Sequence, residues 1–155
     1  MMISNPPSSK PSVSLPNWLV WAFLGASFFG VVDTGYLTAN RFFGVPLNCT
    51  IVHGCDVVTT SSYSAILGIP VALLGLLYYV AIFFLCVWSL DQRRPDVMYA
   101  VAKLTWLGLA ASVWFVSVQI LVLKALCLYC LISAGTSTIL FFLGLYTLRQ
   151  SSKRL

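Results

Sequence analysis

A chain of 155 residues that is 59% hydrophobic and only 8% charged is not a soluble domain, in which about a quarter of residues carry charge. Its net charge of +5, on so apolar a background, reads as topology information and not as a nucleic-acid footprint. The single histidine, His53, excludes a multi-histidine metal centre, and there is no phosphate-binding glycine motif and no internal repeat. The composition is that of an integral membrane protein, and the length suits one domain.

Residues 1–16 hold Pro6, Pro7, Pro11 and Pro16 among serines and read as a flexible tail. Trp18 to Thr38 is apolar and matches the roughly 20 helical residues that cross a bilayer core. It exceeds a signal-peptide core of about 7–15 residues, so it is expected to remain as a first span. Asp33 lies inside it, toward its far end. A carboxylate within a membrane span is either functional or a hydrogen-bonded structural residue near the interface. Tyr36 falls where an aromatic belt belongs.

Residues 39–64 are the longest polar interval and contain Cys49, His53 and Cys55, with Gly44, Pro46 and Gly54 as turn formers. The spacing of Cys49 and Cys55 suits a disulfide without strain. The polar run Thr59 to Ser64 is suited to capping a short helix. Gly68-Ile69-Pro70 breaks the chain, and because proline is tolerated in a first helical turn, a second span is expected from Ile69 to Leu90. It carries Tyr78, Tyr79 and Cys86, the last read as packing, since a buried free cysteine behaves as a small hydrophobe. A charged turn, Asp91 to Asp96, leads to a third span from about Met98 to Leu123, which contains Phe115 and in which Lys103 can snorkel. Lys124-Ala125-Leu126 is a very short connection to a fourth span, Cys127 to Leu148. The expected plan is an all-α, four-transmembrane-helix bundle over residues 17–150, with a long first loop and a short tail at 151–155.

Cys127-Leu128-Tyr129-Cys130 opens the fourth span. On a helix this spacing brings the two Cβ atoms to about 5–6 Å, and a small adjustment reaches the roughly 3.8 Å that a disulfide wants. The unpaired N–H groups and partial positive charge of a first turn favour thiolate, the reactive species. The motif is a candidate redox pair; its bland alternative is two buried thiols packing a helix start.

Four spans place both termini on one side, together with Lys10, Arg93, Arg94, Lys103, Arg149, Lys153 and Arg154, against Arg41 and Lys124 on the other. This bias puts the termini in the cytoplasm and the first loop outside. Cys49, Cys55, Cys127 and Cys130 then all fall on the outer side, where disulfides persist.

The ordered pattern is Cys49-x5-Cys55, Ser61, Gly68-x-Pro70 opening a helix, and Cys127-x-x-Cys130 heading the last span. It resembles the vitamin K epoxide reductase family, in particular its bacterial members, over about residues 18–148. Disulfide-forming DsbB proteins also have four spans and two cysteine pairs, but in the reverse order. The resemblance implies a four-helix bundle around a quinone of the ubiquinone or menaquinone class, with a short helix of the outer first loop capping the pocket. It maps the active-site pair onto Cys127 and Cys130, the shuttle pair onto Cys49 and Cys55, and the loop serine onto Ser61. The vertebrate enzymes hold the quinone oxygens with an asparagine and a tyrosine at positions that read Val71 and Ala134 here. The departure favours a bacterial quinone reductase over vitamin K epoxide chemistry.

The implied function is a membrane thiol–quinone oxidoreductase that supports disulfide formation in exported proteins. A separate thioredoxin-fold, DsbA-like partner on the outer side would reduce Cys49–Cys55. Cys55 would exchange with Cys127, and Cys130 would complete the motif disulfide as electrons pass to quinone, each exchange proceeding through a mixed disulfide. Asp33 could relay protons, Ser61 could bond a quinone oxygen, and Tyr78 and Phe115 could line the pocket. The expected location is the bacterial inner membrane, with the active-site cysteines on the periplasmic or extracellular side and no nucleic-acid partner. Two alternatives are a structural membrane protein with two static disulfides and a four-cysteine zinc site.

Overall fold

The computed structural model describes residues 16–44, 54–92 and 95–152. Cys49, His53, Arg93, Arg94 and both chain tails, with Lys10, Lys153 and Arg154, lie outside the described residues. The elements in order are α1 (Asn17–Phe43), α2 (Cys55–Thr60), β1 (Ala65–Ile66), β2 (Ile69–Pro70), α3 (Val71–Gln92), α4 (Pro95–Ser117) and α5 (Leu128–Ser152). A π-helical turn, Val118–Leu123, prolongs α4. Four of the helices are long and apolar enough to cross a membrane, so the protein is an all-α membrane bundle whose first loop carries the short α2.

Boundaries differ from the expected ones for local reasons. The first span's helix runs on past Thr38 to Phe43, because nothing in Ala39-Asn40-Arg41 breaks it. It stops at Gly44, whose φ of 65° is left-handed and whose N–H donates to Asn40 O. The polar run from Thr59 ends the loop helix rather than starting it, since α2 already begins at Cys55. The second span starts at Val71, not Ile69. Leu67 and Gly68 both take positive φ, 54° and 82°, and reverse the chain. Ile69 and Pro70 are thereby laid antiparallel against Ile66 and Ala65.

The bundle has two unlike halves. In the half that holds the start of α1, Leu19, Phe23, Ile82, Cys86, Met98 and Leu140 pack into a continuous core. Apolar burial alone drives little association between helices in lipid, so close approach matters. Gly144 supplies it, since a Cβ there would come within 2.6 Å of Thr105 Oγ1 and 3.2 Å of the Ala102 backbone. Three buried hydroxyls of this half are satisfied within their own helices. Ser27 Oγ donates to Phe23 O at 2.7 Å, Thr105 Oγ1 to Ala102 O at 2.7 Å and Thr147 Oγ1 to Leu143 O at 2.9 Å. In the other half the helices part around a cavity, and the first loop closes over it.

Candidate functional site: two sulfurs facing two ways

The α4–α5 connection positions the Cys127–Cys130 pair. The π turn of α4 ends at Lys124, in the left-handed region with φ 48°, and Ala125 N–H returns to Gln119 O at 3.2 Å. Gln119 is buried, and its side-chain Oε1 accepts from Cys127 N–H at 2.9 Å. This backbone group would otherwise be an orphan at the helix start. Helix α5 begins at Leu128, so Cys127 is not its first residue but its cap. Leu131 N–H donates to Cys127 O at 3.0 Å, and Cys130 N–H points at Cys127 Sγ at 3.4 Å. The sulfur occupies the place of the oxygen of a capping serine or aspartate.

That placement has an electrostatic consequence. The Cys130 side chain donates a hydrogen bond to the Cys127 sulfur, and the N–H groups of Cys130 and Tyr129 add to it. Together they hold the Cys127 thiol below the ordinary thiol range, against burial and the nearby charge of Asp33. Both motif cysteines are free thiols, as is the buried Cys86.

Cys55 lies next to this cap. It opens α2, is buried and is disulfide-bonded. Gly54 immediately before it has φ 150°, and a Cβ there would crowd Ala125 and Leu126 at 3.1 Å. Only glycine lets the loop lie so close on the connection. Arg41 Nη1 donates to Thr59 O at 3.1 Å, tying the end of α2 to the end of α1. The outcome is one buried cluster of Leu37, Cys55 and Cys127, with Val58, Ala72, Tyr129 and Cys130 packed around it. The other loop cysteine, Cys49, lies outside the described residues.

Cys130 also faces the opposite way. It lines a cavity of about 600 Å³ between α1, α3, α4 and α5, roofed by residues from Val58 to Ile66. Small-molecule sites typically measure about 300–1,000 Å³. Ser61, Tyr78 and Phe115 line the same space, as do Val71 and Ala134. Ser61 already donates its hydroxyl proton to Val58 O at 2.8 Å, so it meets the cavity as an acceptor. Asp33 is buried on α1, and its Oδ2 has no hydrogen-bond partner. Tyr79 does not face the cavity as a free group: its hydroxyl donates to Ser133 O at 2.7 Å and pins α3 to α5. Tyr36 stacks at a tilt on Tyr129, between the motif cysteines, with ring centroids 5.2 Å apart.

The arrangement is therefore a dithiol set between a disulfide-bonded cysteine on one side and an apolar, ligand-sized cavity on the other. A family model described as the vitamin K epoxide reductase family matches residues 21–145, a stretch that reaches into all four spanning helices and includes both cysteine regions. The chain belongs to the vitamin K epoxide reductase family. One relative in this group is the thiol-disulfide oxidoreductase LTO1 of Arabidopsis thaliana, 30% identical over 122 residues. The match covers 74% of this chain but 32% of the plant protein, so the chain spans about a third of that relative's length.

Within this vitamin K epoxide reductase family chain, sequence reasoning missed Gln119 and Ser137. Gln119 did carry a signal. It is the one amide in the apolar run Val113 to Leu123, and polar groups within spans are retained where they have partners. Ser137 carried none, because serine is common in spans and usually bonds its own helix.

Proposed function

We propose that the protein is a membrane thiol–quinone oxidoreductase in which Cys55 and Cys127 are the point of transfer between the loop pair and the motif pair. The observation that carries this reading is the single buried cluster containing both sulfurs. The free state of Cys127 and Cys130 also favours redox chemistry over two static disulfides.

In this reading a reduced thioredoxin-fold partner on the outer side opens a Cys49–Cys55 disulfide and leaves two thiols. The Cys55 thiolate attacks Cys127 in the oxidised motif, forming a Cys55–Cys127 bond and releasing Cys130. Cys49 then attacks Cys55, closing the loop disulfide and releasing Cys127. Two electrons have moved inward and no atom is gained or lost. The motif is left reduced, with Cys127 favoured as the thiolate by its capping position and by the Cys130 hydrogen bond.

A quinone of the ubiquinone or menaquinone class fits the cavity by size, by its apolar wall and by the polar groups along it. Bound there, it would accept two electrons and two protons while the motif disulfide forms. Cys130 contacts this space and is the exit for the electrons. Asp33, buried with an unpartnered oxygen and felt electrostatically at Cys127, holds and passes a proton. Ser61 presents an acceptor that can receive a quinol hydroxyl, and Phe115 lines the apolar wall. The charge bias puts the first loop and the motif on the outer face of a bacterial inner membrane, with both termini in the cytoplasm.

The test is to add a soluble quinone to the dithiothreitol-reduced, desalted protein in detergent and follow quinol formation. Up to two quinols per protein are expected, one from each cysteine pair, with loss of four thiols as the loop pair re-reduces the motif. Quinol formation without thiol loss would remove the cysteines from the route.

A further inference from the structure

Two hydroxyls on the cavity wall lack a hydrogen-bond partner of good geometry. They are Tyr78 Oη on α3 and Ser137 Oγ on α5, both buried, although the two side chains are neighbours. Both line the cavity, and Ser137 is only 2% exposed. They meet over Gly108 of α4, where an added Cβ would lie 2.7 Å from Ser137 Oγ and overlap the Tyr78 hydroxyl. Glycine at this position opens the space in which the two oxygens face each other.

Their neighbours behave differently. Thr136 Oγ1 donates to Ile132 O at 3.0 Å and Thr138 Oγ1 to Ala134 O at 2.8 Å, each within α5. Ser133 is engaged by Tyr79. Ser137 makes no bond to its own helix; it lies beside the Tyr78 and Tyr79 hydroxyls on the cavity side. At this depth in a bilayer no bulk water satisfies such groups, so a partner is expected.

The geometry points to Tyr78 and Ser137 as the floor of the quinone site, where they hydrogen-bond the ring oxygen farthest from Cys130. The inference rests on the thiol–quinone reading and adds to it which residues orient the ring. Cys130 and Ser137 lie two turns apart on one face of α5, about 10 Å along the helix. A flat ring with oxygens at opposite ends bridges that interval, with one edge toward the Cys130 sulfur and the far oxygen on the floor. The Tyr78 O–H donates to that oxygen, and the bond strengthens as negative charge develops there during reduction. Ser137 gives or accepts the second hydrogen bond, according to whether the oxygen is carbonyl or hydroxyl. No net proton leaves either residue.

The test measures binding by the whole protein in detergent, following quenching of tryptophan fluorescence by menadione. Its hydrocarbon counterpart, 2-methylnaphthalene, is followed through displacement of menadione. Wild type, Tyr78→Phe and Ser137→Ala are compared. Each substitution is expected to weaken menadione by roughly three- to tenfold and to leave 2-methylnaphthalene unchanged. Unchanged menadione affinity in both variants would overturn the floor assignment. Equal weakening of both ligands would also overturn it, since the residues would then only shape the cavity. If wild type binds no menadione, the thiol–quinone reading fails as well. If wild type binds and the variants match it, only the floor fails.

Discussion

The two halves of this bundle are made from the same four helices and nearly the same residue types, yet they treat polar groups in opposite ways. Around Phe23, Ile82 and Cys86 the helices touch, and Ser27, Thr105 and Thr147 spend their hydroxyls on their own backbones. Around Cys130 they part, and Asp33, Tyr78 and Ser137 each keep a buried oxygen without a partner. Two further orphans, Tyr99 and Gln150, sit in the end turns of α4 and α5 away from the cavity. Unpaired polar atoms at depth in a membrane are costly. Two of them, Tyr78 and Ser137, line the cavity itself, which fits the proposal that this half gives up stability for binding.

The sharpest way to break this contrast is to exchange cysteine for serine in each half. Cys130→Ser is expected to reduce quinol formation with dithiothreitol as donor to background, because the motif disulfide cannot form. Cys86→Ser should retain near wild-type turnover, since Cys86 lies in the packed core. Retained turnover in Cys130→Ser, or its loss in a folded Cys86→Ser, would erase the distinction.

A second experiment addresses the cap. Gln119→Leu leaves Cys127 N–H buried without its acceptor. A loss of about 1–3 kcal/mol is expected, read as a lower thermal midpoint in detergent together with slower exchange at Cys127. An unchanged midpoint and rate would show that the connection holds Cys127 by other means.

The thiolate itself has a pH signature. The Cys127 thiol is held below the ordinary range chiefly by the Cys130 side chain. Its alkylation by iodoacetamide should therefore persist to lower pH than that of an ordinary thiol and fall away as the pH drops through the lowered value. Cys130→Ala removes the largest cause, so its rate–pH midpoint should move up. A midpoint that stays in place would assign the effect to the helix start alone.

The smallest effect is expected in the packed half. Thr105→Val removes a hydroxyl bonded only to its own helix. The change in stability should stay below about 1 kcal/mol, measured by thermal unfolding in detergent, with turnover unaffected.

Much of this contrast could be read from the sequence, and the part that could not has a physical reason. The four spans were legible because apolar length is a direct signature of a membrane helix. Cys127 and Cys130 were legible because two sulfurs at that spacing at a helix start carry chemistry of their own. Their different facings were not, since they depend on Cys127 standing before the helix as its cap. That in turn depends on the π turn at Val118–Leu123 and on Gln119 reaching Cys127. The hairpin at Ala65–Pro70 was hidden because Leu67 shares the left-handed conformation with Gly68, and leucine gives no warning of it. Ser137 was hidden because only the spacing of three helices tells a serine that bonds its own backbone from one turned to a cavity.

The most direct test of the central claim concerns the sulfurs of Cys55 and Cys127, which share one buried cluster. In a Cys49→Ala, Cys130→Ser double variant, neither the loop nor the motif keeps a second cysteine to resolve a bond between them. Oxidised membranes should then contain a stable Cys55–Cys127 disulfide, seen by mass spectrometry as a crosslinked peptide after non-reducing digestion. The mirror variant, Cys55→Ala with Cys130→Ser, should join Cys49 to Cys127 far less. Free alkylation of both Cys55 and Cys127 in the first variant, or stronger crosslinking in the second, would contradict the transfer path.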